Sequence, residues 1–219
     1  MNTRFSPVLW DLDGTILDSG PEIRQRVARV VREFGYPEPT TEQLTAFIGP
    51  PLVESYERII GMTPEQAQRA FLRSREIAKT QAPDYLVTLH KAVAELVKEL
   101  HAAGVPQSVA SSKGQWAVEQ SLQHFGLAEC FDVLCGADPQ QQRIHKHDVI
   151  AYVLDHYRAR NIDVSNGVII GDRIHDLEGG LAHNLSVIIV EWGYGAGEET
   201  PGAFAKVANI AQLRSKLLL

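Results

Sequence analysis

The sequence predicts an α/β protein, a doubly wound parallel sheet interrupted by a helical insertion, and three observations lead there. Short runs rich in apolar and β-branched residues, at 7–12, 107–110, 131–134, 167–170 and 186–190, alternate with stretches of helical periodicity. That alternation is the pattern of a parallel sheet covered by helices on both faces. Second, about ninety residues separate the first run from the second, where a simple crossover unit needs about thirty. Third, 219 residues with 44% hydrophobic content suffice for one α/β core and a small accessory unit.

The first run, Val8-Leu9-Trp10-Asp11-Leu12-Asp13-Gly14-Thr15, is an apolar strand that ends in two carboxylates one residue apart, then a glycine turn and a hydroxyl. Like charges at the end of a buried strand repel and resist desolvation, so they require a cation, a shared proton or open solvent. A hard cation such as Mg²⁺ meets that need. An exposed Asp-x-Asp-Gly turn closing a hairpin carries the same letters.

The insertion reads as helical throughout. Residues 21–34 place Ile23, Val27, Val30 and Val31 at helical spacing, and Gly35-Tyr36-Pro37 stops them. Residues 41–48, 52–60 and 64–80 continue in the same style, with breaks at Gly61 and Pro64. A helical unit over 16–84 follows, joined to the core near residues 17–20 and 83–86.

Residues 88–103 predict a helix with Val93, Leu96, Val97 and Leu100 on one face and Gly104 as its stop. The second strand then delivers Ser111-Ser112-Lys113 at its C-terminal edge, before a helix at 115–125. A serine there can offer its hydroxyl and nearby backbone N–H groups to an anion, though Ser-Ser alone reads equally as a helix N-cap. Farther on, Val149, Ile150, Val153, Leu154 and Tyr157 form the apolar face of a helix preceded by His145-Lys146. The fourth strand runs into Gly171-Asp172-Arg173-Ile174-His175-Asp176, which puts two carboxylates on one side of a helical turn. An acidic helix start favoured by the dipole would also use either Asp. The fifth strand leads into Glu191-Trp192-Gly193-Tyr194-Gly195, where both aromatics read as packing or as site residues.

The net charge of −6 argues against a nucleic-acid footprint, which is normally a basic face. No apolar run reaches transmembrane length and the first residues show no signal-peptide core, so a cytoplasmic location is the expectation. Cys130 and Cys135 are too few for a disulfide framework and read as buried thiols. The histidines, among them His145, His147 and His175, lack zinc-ligand spacing, and no P-loop string occurs.

The string Asp11-Leu12-Asp13-Gly14-Thr15-Ile16-Leu17-Asp18-Ser19 resembles the first motif of the haloacid dehalogenase (HAD) superfamily, in its phosphatase branch. Ser111, Lys146 and Gly171-Asp172 with Asp176 resemble the second, third and fourth motifs, in order. The resemblance implies a Rossmann-like core over residues 1–15 and 85–219 and an α-helical cap over 16–84. It also implies a Mg²⁺-dependent phosphomonoesterase. Asp11 would be the nucleophile, Asp13 the acid/base, and Lys146 the cation that offsets repulsion between carboxylate and phosphate. Arg143 is the alternative cation, because this chain has Lys-His where the family commonly has Lys-Pro. Asp11, Asp13 through its carbonyl, Asp172 and Asp176 would form the metal site. Ser111, Ser112, Gly14, Thr15 and Lys146 would surround the phosphoryl group.

The Glu191–Gly195 stretch and Phe47-Ile48-Gly49-Pro50-Pro51-Leu52 resemble phosphoglycolate-phosphatase-like and nucleotidase-like members. Gly49, Pro50 and Lys113, with Glu22, Pro51 and Arg58, are the residues expected to set specificity. The implied partner is a small phosphate ester, with no nucleic acid or membrane, and the chain is expected to be a monomer or homodimer. A sugar-phosphate mutase and a non-catalytic phosphoryl-ligand-binding protein remain as alternatives. A dehalogenase has no need of the acid/base at Asp13.

Overall fold

The computed structural model describes residues 3–195 and 197–219. Its centre is a parallel sheet of six strands in the order β5-β4-β1-β6-β7-β8. These are β1 (Val8–Trp10), β4 (Gln107–Gly114), β5 (Leu134–Ala137), β6 (Val168–Gly171), β7 (Ser186–Val190) and β8 (Ala205–Val207). The central strand β1 pairs with β4 on one side, Val8 opposite Gln107, and with β6 on the other, Val8 opposite Val168. The C-terminal ends of β1, β4 and β6 are thereby neighbours.

Alternation along the strands divides the apolar side chains between two layers. Val8, Trp10, Ile170 and Ile188 face one cluster with α5 (Lys91–Ala102), α6 (Gln115–His124) and α9 (Ile210–Leu217). Leu9, Ile169, Val187 and Ile189 face the other, with α7 (Lys146–Ala159) and α8 (Ile174–Ala182). Within the first layer Gln107 is fully buried. Its amide accepts from Trp10 Nε1 at 3.1 Å and donates to the Val97 and Cys130 carbonyls at 2.8 and 3.0 Å. Such pairing is what makes a buried amide tolerable.

The insertion folds as α1 (Gly20–Glu33), α2 (Thr41–Ala46), α3 (Leu52–Ser55), which continues into a π-helical turn over Tyr56–Ile60, and α4 (Pro64–Thr80). These helices bury their own cluster, including Val27, Val30, Phe47, Ile48, Tyr56 and Ala70. Two chain segments connect it to the sheet. They pair as a two-residue antiparallel ribbon, β2 (Leu17–Asp18) with β3 (Thr88–Leu89).

Two local expectations shift, and one strand is added. The strand expected at 131–134 lies at Leu134–Ala137, because Ala128–Cys130 forms a 3₁₀ turn that buries Cys130 and Phe131 without strand pairing. The helix expected from residue 88 begins at Lys91, since Thr88 and Leu89 are taken by the ribbon. Strand β8 was not legible, being three residues long with an exposed lysine at its centre. Cys130 and Cys135 are both free and buried.

Candidate active site

The site stands where β1, β4 and β6 end. Asp11 follows β1 and is held in line by its amide, which donates to the Ile170 carbonyl at 2.8 Å. The chain then turns sharply: the Ile16 and Leu17 amides both donate to the Leu12 carbonyl, at 3.0 and 2.9 Å, and Gly14 N–H donates to the Leu17 carbonyl at 2.7 Å. Gly14 sits at φ +91°, and a Cβ there would collide with the Asp172 carboxylate. Only glycine combines that backbone angle with that approach.

Asp172 follows β6, and Asp176 lies in the first turn of α8. Asp176 Oδ2 accepts from the Asp172 and Arg173 amides, both at 3.0 Å, and so caps the helix. Its other oxygen lies 2.8 Å from Lys146 Nζ. Lys146, the first residue of α7, also donates to Asp11 Oδ1 at 2.5 Å and to the Ala110 carbonyl at the end of β4 at 2.9 Å. Asp176 thus caps the helix with one oxygen and turns the other toward the acidic cluster. Arg143 points elsewhere, toward Gly136, Gln141 and the ring of Tyr152. Lys146 is thus the cation at Asp11.

Oxygens of Asp11, Asp172 and Asp176 lie within 4.8 Å of one another, all in buried residues. One ammonium faces three carboxylates, and the electrostatics show the excess. Burial pushes the Asp11 carboxyl up to about 7, with Lys146 pulling against it and the Asp176 charge adding to it. Burial, then the charges of Asp176 and Asp11, also raise Asp172 well above the ordinary carboxylate range. Burial alone would lower the Lys146 ammonium, but the Asp11 and Asp176 charges outweigh it and hold the group protonated. Among the described residues Asp172 Oδ1 is buried without a hydrogen-bond partner. An all-oxygen donor set with excess negative charge and an orphaned oxygen suits a hard divalent cation.

Asp13 stands apart from this cluster. Ser19 Oγ donates to its Oδ1 at 2.6 Å, and Lys113 Nζ donates to both its oxygens at 3.0 and 3.2 Å. Lys113, expected to face a substrate, is instead turned onto Asp13. Ser111 is buried at the same strand edge, its Oγ accepting from the Lys113 amide at 3.2 Å. The Thr15 hydroxyl is buried with no partner among the described residues, and the Gly14 amide is occupied by Leu17, so Gly14 contributes space.

A cavity of about 650 Å³ opens beside the cluster, between the helical insertion and the core. Gly49, Pro50, Pro51 and Arg58 line it from the insertion, facing Ser112 and Lys146. Glu22, expected at the same place, is buried in an ion pair with Arg26, 2.6 Å apart. Of the next two residues of the site, the sequence reading leaves Arg173 out and holds Tyr194 open between packing and the site. Arg173 Nη1 donates to the Ile48 carbonyl of the insertion, and its Nε pairs with Glu198 at 2.7 Å. Tyr194 N–H donates to Asp172 Oδ2 at 2.5 Å. The adjacency of Arg173 to Asp172, and the glycines on either side of Tyr194, were the available signals.

The fold thus gathers buried carboxylates at the ends of parallel strands, beside a cavity. The model of the haloacid dehalogenase-like hydrolase family matches residues 8–190, and the chain belongs to that family. Tyrosine-protein kinase PtkA of Mycobacterium tuberculosis is 33% identical over 215 residues, 96% of this chain and 72% of that one. The 5'-nucleotidase of Pseudomonas aeruginosa is 29% identical over 196 residues, 90% of this chain and 87% of that one. Among solved structures, that of a predicted phosphatase from Clostridium acetobutylicum has a TM-score of 0.87 at 31% identity, with 97% of each chain covered.

Proposed function

We propose that the protein is a Mg²⁺-dependent phosphomonoesterase that works through an aspartyl-phosphate on Asp11. The observation that carries this reading is the buried Asp11–Asp172–Asp176 cluster, with Lys146 set against Asp11 and Asp176, and Asp13 held separately two residues beyond Asp11. Asp11, Asp172 and the Asp13 carbonyl would hold Mg²⁺, with Asp176 orienting its water. Bound there, the ion supplies positive charge against the phosphoryl oxygens.

Asp11 attacks phosphorus in line, forming an acyl-phosphate bond as the ester P–O bond breaks. Asp13 gives its proton to the leaving oxygen, then takes one from the water that hydrolyses the acyl phosphate. Lys146 lessens the repulsion between the Asp11 carboxylate and the incoming dianion. Ser111 and Ser112 hold the phosphoryl oxygens, while Thr15 and Gly14 shape the turn beneath them. Residues 16–84 act as the cap, whose closure excludes bulk water before attack.

The substrate we infer is a small phosphorylated metabolite. A cavity of about 650 Å³ lined by Arg58, Glu54, His145 and His175 suits a compact polar leaving group. The phosphatase and nucleotidase relatives support hydrolysis, and the absence among the described residues of a helix able to cross a membrane is compatible with a cytoplasmic enzyme. The test is release of inorganic phosphate from a panel of phosphoglycolate, nucleoside monophosphates and sugar phosphates, with Mg²⁺ or with EDTA. The native chain should turn over one group of esters only with Mg²⁺, and Asp11→Asn should lose at least about a thousandfold. Isomerised sugar phosphate, tight binding without turnover, or phosphate transfer from ATP to tyrosine without ester hydrolysis would each replace this reading.

A further inference from the structure

Tyr194 makes three polar contacts that packing does not require. Its amide engages Asp172 Oδ2 at 2.5 Å, its hydroxyl donates to Asp18 Oδ1 at 2.5 Å, and the same hydroxyl accepts from Gly20 N–H at 2.6 Å. Asp18 is the last residue of β2 and Gly20 the first of α1, so the hydroxyl sits where the chain leaves the sheet for the cap. The ring has been given room. A Cβ on Gly20 would lie 2.7 Å from Tyr194 Cε1 and 2.9 Å from its hydroxyl. Next to it, Trp192 Nε1 donates to the Thr15 carbonyl at 3.2 Å, fastening the same loop to the turn after Asp11. A phenylalanine would fill the space equally well, so the hydroxyl's two bonds call for their own explanation.

The place they act is weak by itself. The β2–β3 ribbon has two residues per strand, too short to be stable alone. The Tyr194 hydroxyl supplies Asp18 with a donor and the uncapped start of α1 with an acceptor; Ser19, the N-cap residue, makes no side-chain cap bond. At its other end the residue holds one oxygen of Asp172, while the second oxygen of that carboxylate is buried without a hydrogen-bond partner among the described residues.

We propose that Tyr194 is a positioning residue that ties Asp172 to the hinge of the cap, so that cation binding at Asp172 and order at Asp18–Gly20 reinforce each other. A cation on the free oxygen fixes the carboxylate, and with it the 192–194 loop and both hydroxyl bonds. By linkage an ordered hinge presents Asp172 for binding to the same degree. The proposal rests on the Mg²⁺ reading of the cluster.

Hydrogen exchange of the Gly20 amide, with and without Mg²⁺, and calorimetric Mg²⁺ titration test it. In the native chain saturating Mg²⁺ should slow Gly20 exchange about tenfold, a coupling of ordinary size. In Tyr194→Phe that slowing should disappear and Mg²⁺ affinity should fall about five- to tenfold. Asp18→Asn, which keeps an acceptor oxygen for the hydroxyl, should retain the slowing. Native exchange at Gly20 indifferent to bound Mg²⁺ overturns the proposal without any variant. So does a Tyr194→Phe protein that melts earlier yet keeps native affinity and slowing, which would mark a packing role. No Mg²⁺ binding to the native chain would remove the cofactor reading and this one together, whereas Mg²⁺-dependent phosphatase activity with an unresponsive hinge removes only this one.

Discussion

At the scale of the residue, the site is a problem of placing like charges, and Gly14 shows how closely it is solved. The Asp172 carboxylate occupies the volume that any Cβ on Gly14 would need. Gly14→Ala therefore has two costs, a left-handed φ and a displaced carboxylate. It should abolish calorimetric Mg²⁺ binding and lower turnover at least about a hundredfold, with the far-ultraviolet dichroism unchanged; an alanine variant binding Mg²⁺ as tightly as the native chain would refute the placement. The carboxylates themselves were legible from sequence, since Asp11, Asp13 and Asp172 stand at predicted strand ends and Asp176 one helical turn beyond Asp172. The pairing of Lys146 with Asp11 across 135 residues was implied by the family resemblance and not by spacing, and that of Lys113 with Asp13 across 100 was implied by neither. Spacing along a chain says nothing about which of two lysines reaches which aspartate once three strands converge.

At the scale of the element, the insertion stands on its own helix ends and on several contacts with the core. Thr63 and Gln66 form a reciprocal capping box at the start of α4, with Thr63 N–H donating to Gln66 Oε1 at 3.0 Å and Gln66 N–H to Thr63 Oγ1 at 3.3 Å. Thr63→Ala should cost about 0.5–2 kcal/mol in urea unfolding. No change in the midpoint would mean that α4 is held by packing alone. Arg173 makes one of them, its guanidinium reaching the Ile48 carbonyl on the Gly-Pro-Pro loop. Arg173→Met removes a charged donor from that loop, which belongs to the proposed specificity surface. We expect KM for the preferred ester to rise about tenfold, with kcat changing less. Loss of kcat at constant KM would place Arg173 in the chemistry instead. Helices of the insertion were readable because residues such as Val27, Val30 and Val31 repeat at helical spacing; strand β8 was not, because its three residues carry no pattern.

At the scale of the whole molecule, the site's charge is coupled to stability. Asp11 titrates at about 7 in the folded chain, against its ordinary 3.8, and Asp172 is raised as well. Between those two values the folded protein holds protons that the unfolded chain has released. The metal-free protein therefore loses stability as pH rises from about 4 through about 7, the sign opposite to that of a salt-bridged carboxylate. Above that window Mg²⁺ no longer competes with protons for the oxygens. Saturating Mg²⁺ should raise Tm more at about pH 8 than at about pH 5.5. Equal shifts at the two values would contradict the raised carboxylates, and no shift at either would contradict the metal site.

Residue order by itself determined the alternation of strands and helices, the position of the insertion and the carboxylates at the strand ends, because periodicity and turn chemistry act over a few neighbouring residues. Tertiary structure decided the rest. It turned Lys113 onto Asp13, buried Glu22 against Arg26 away from the cavity, and placed the Tyr194 hydroxyl at the start of α1, 174 residues from Gly20 in sequence. Long flexible side chains and loop residues have no fixed direction until the packed strands around them leave only one.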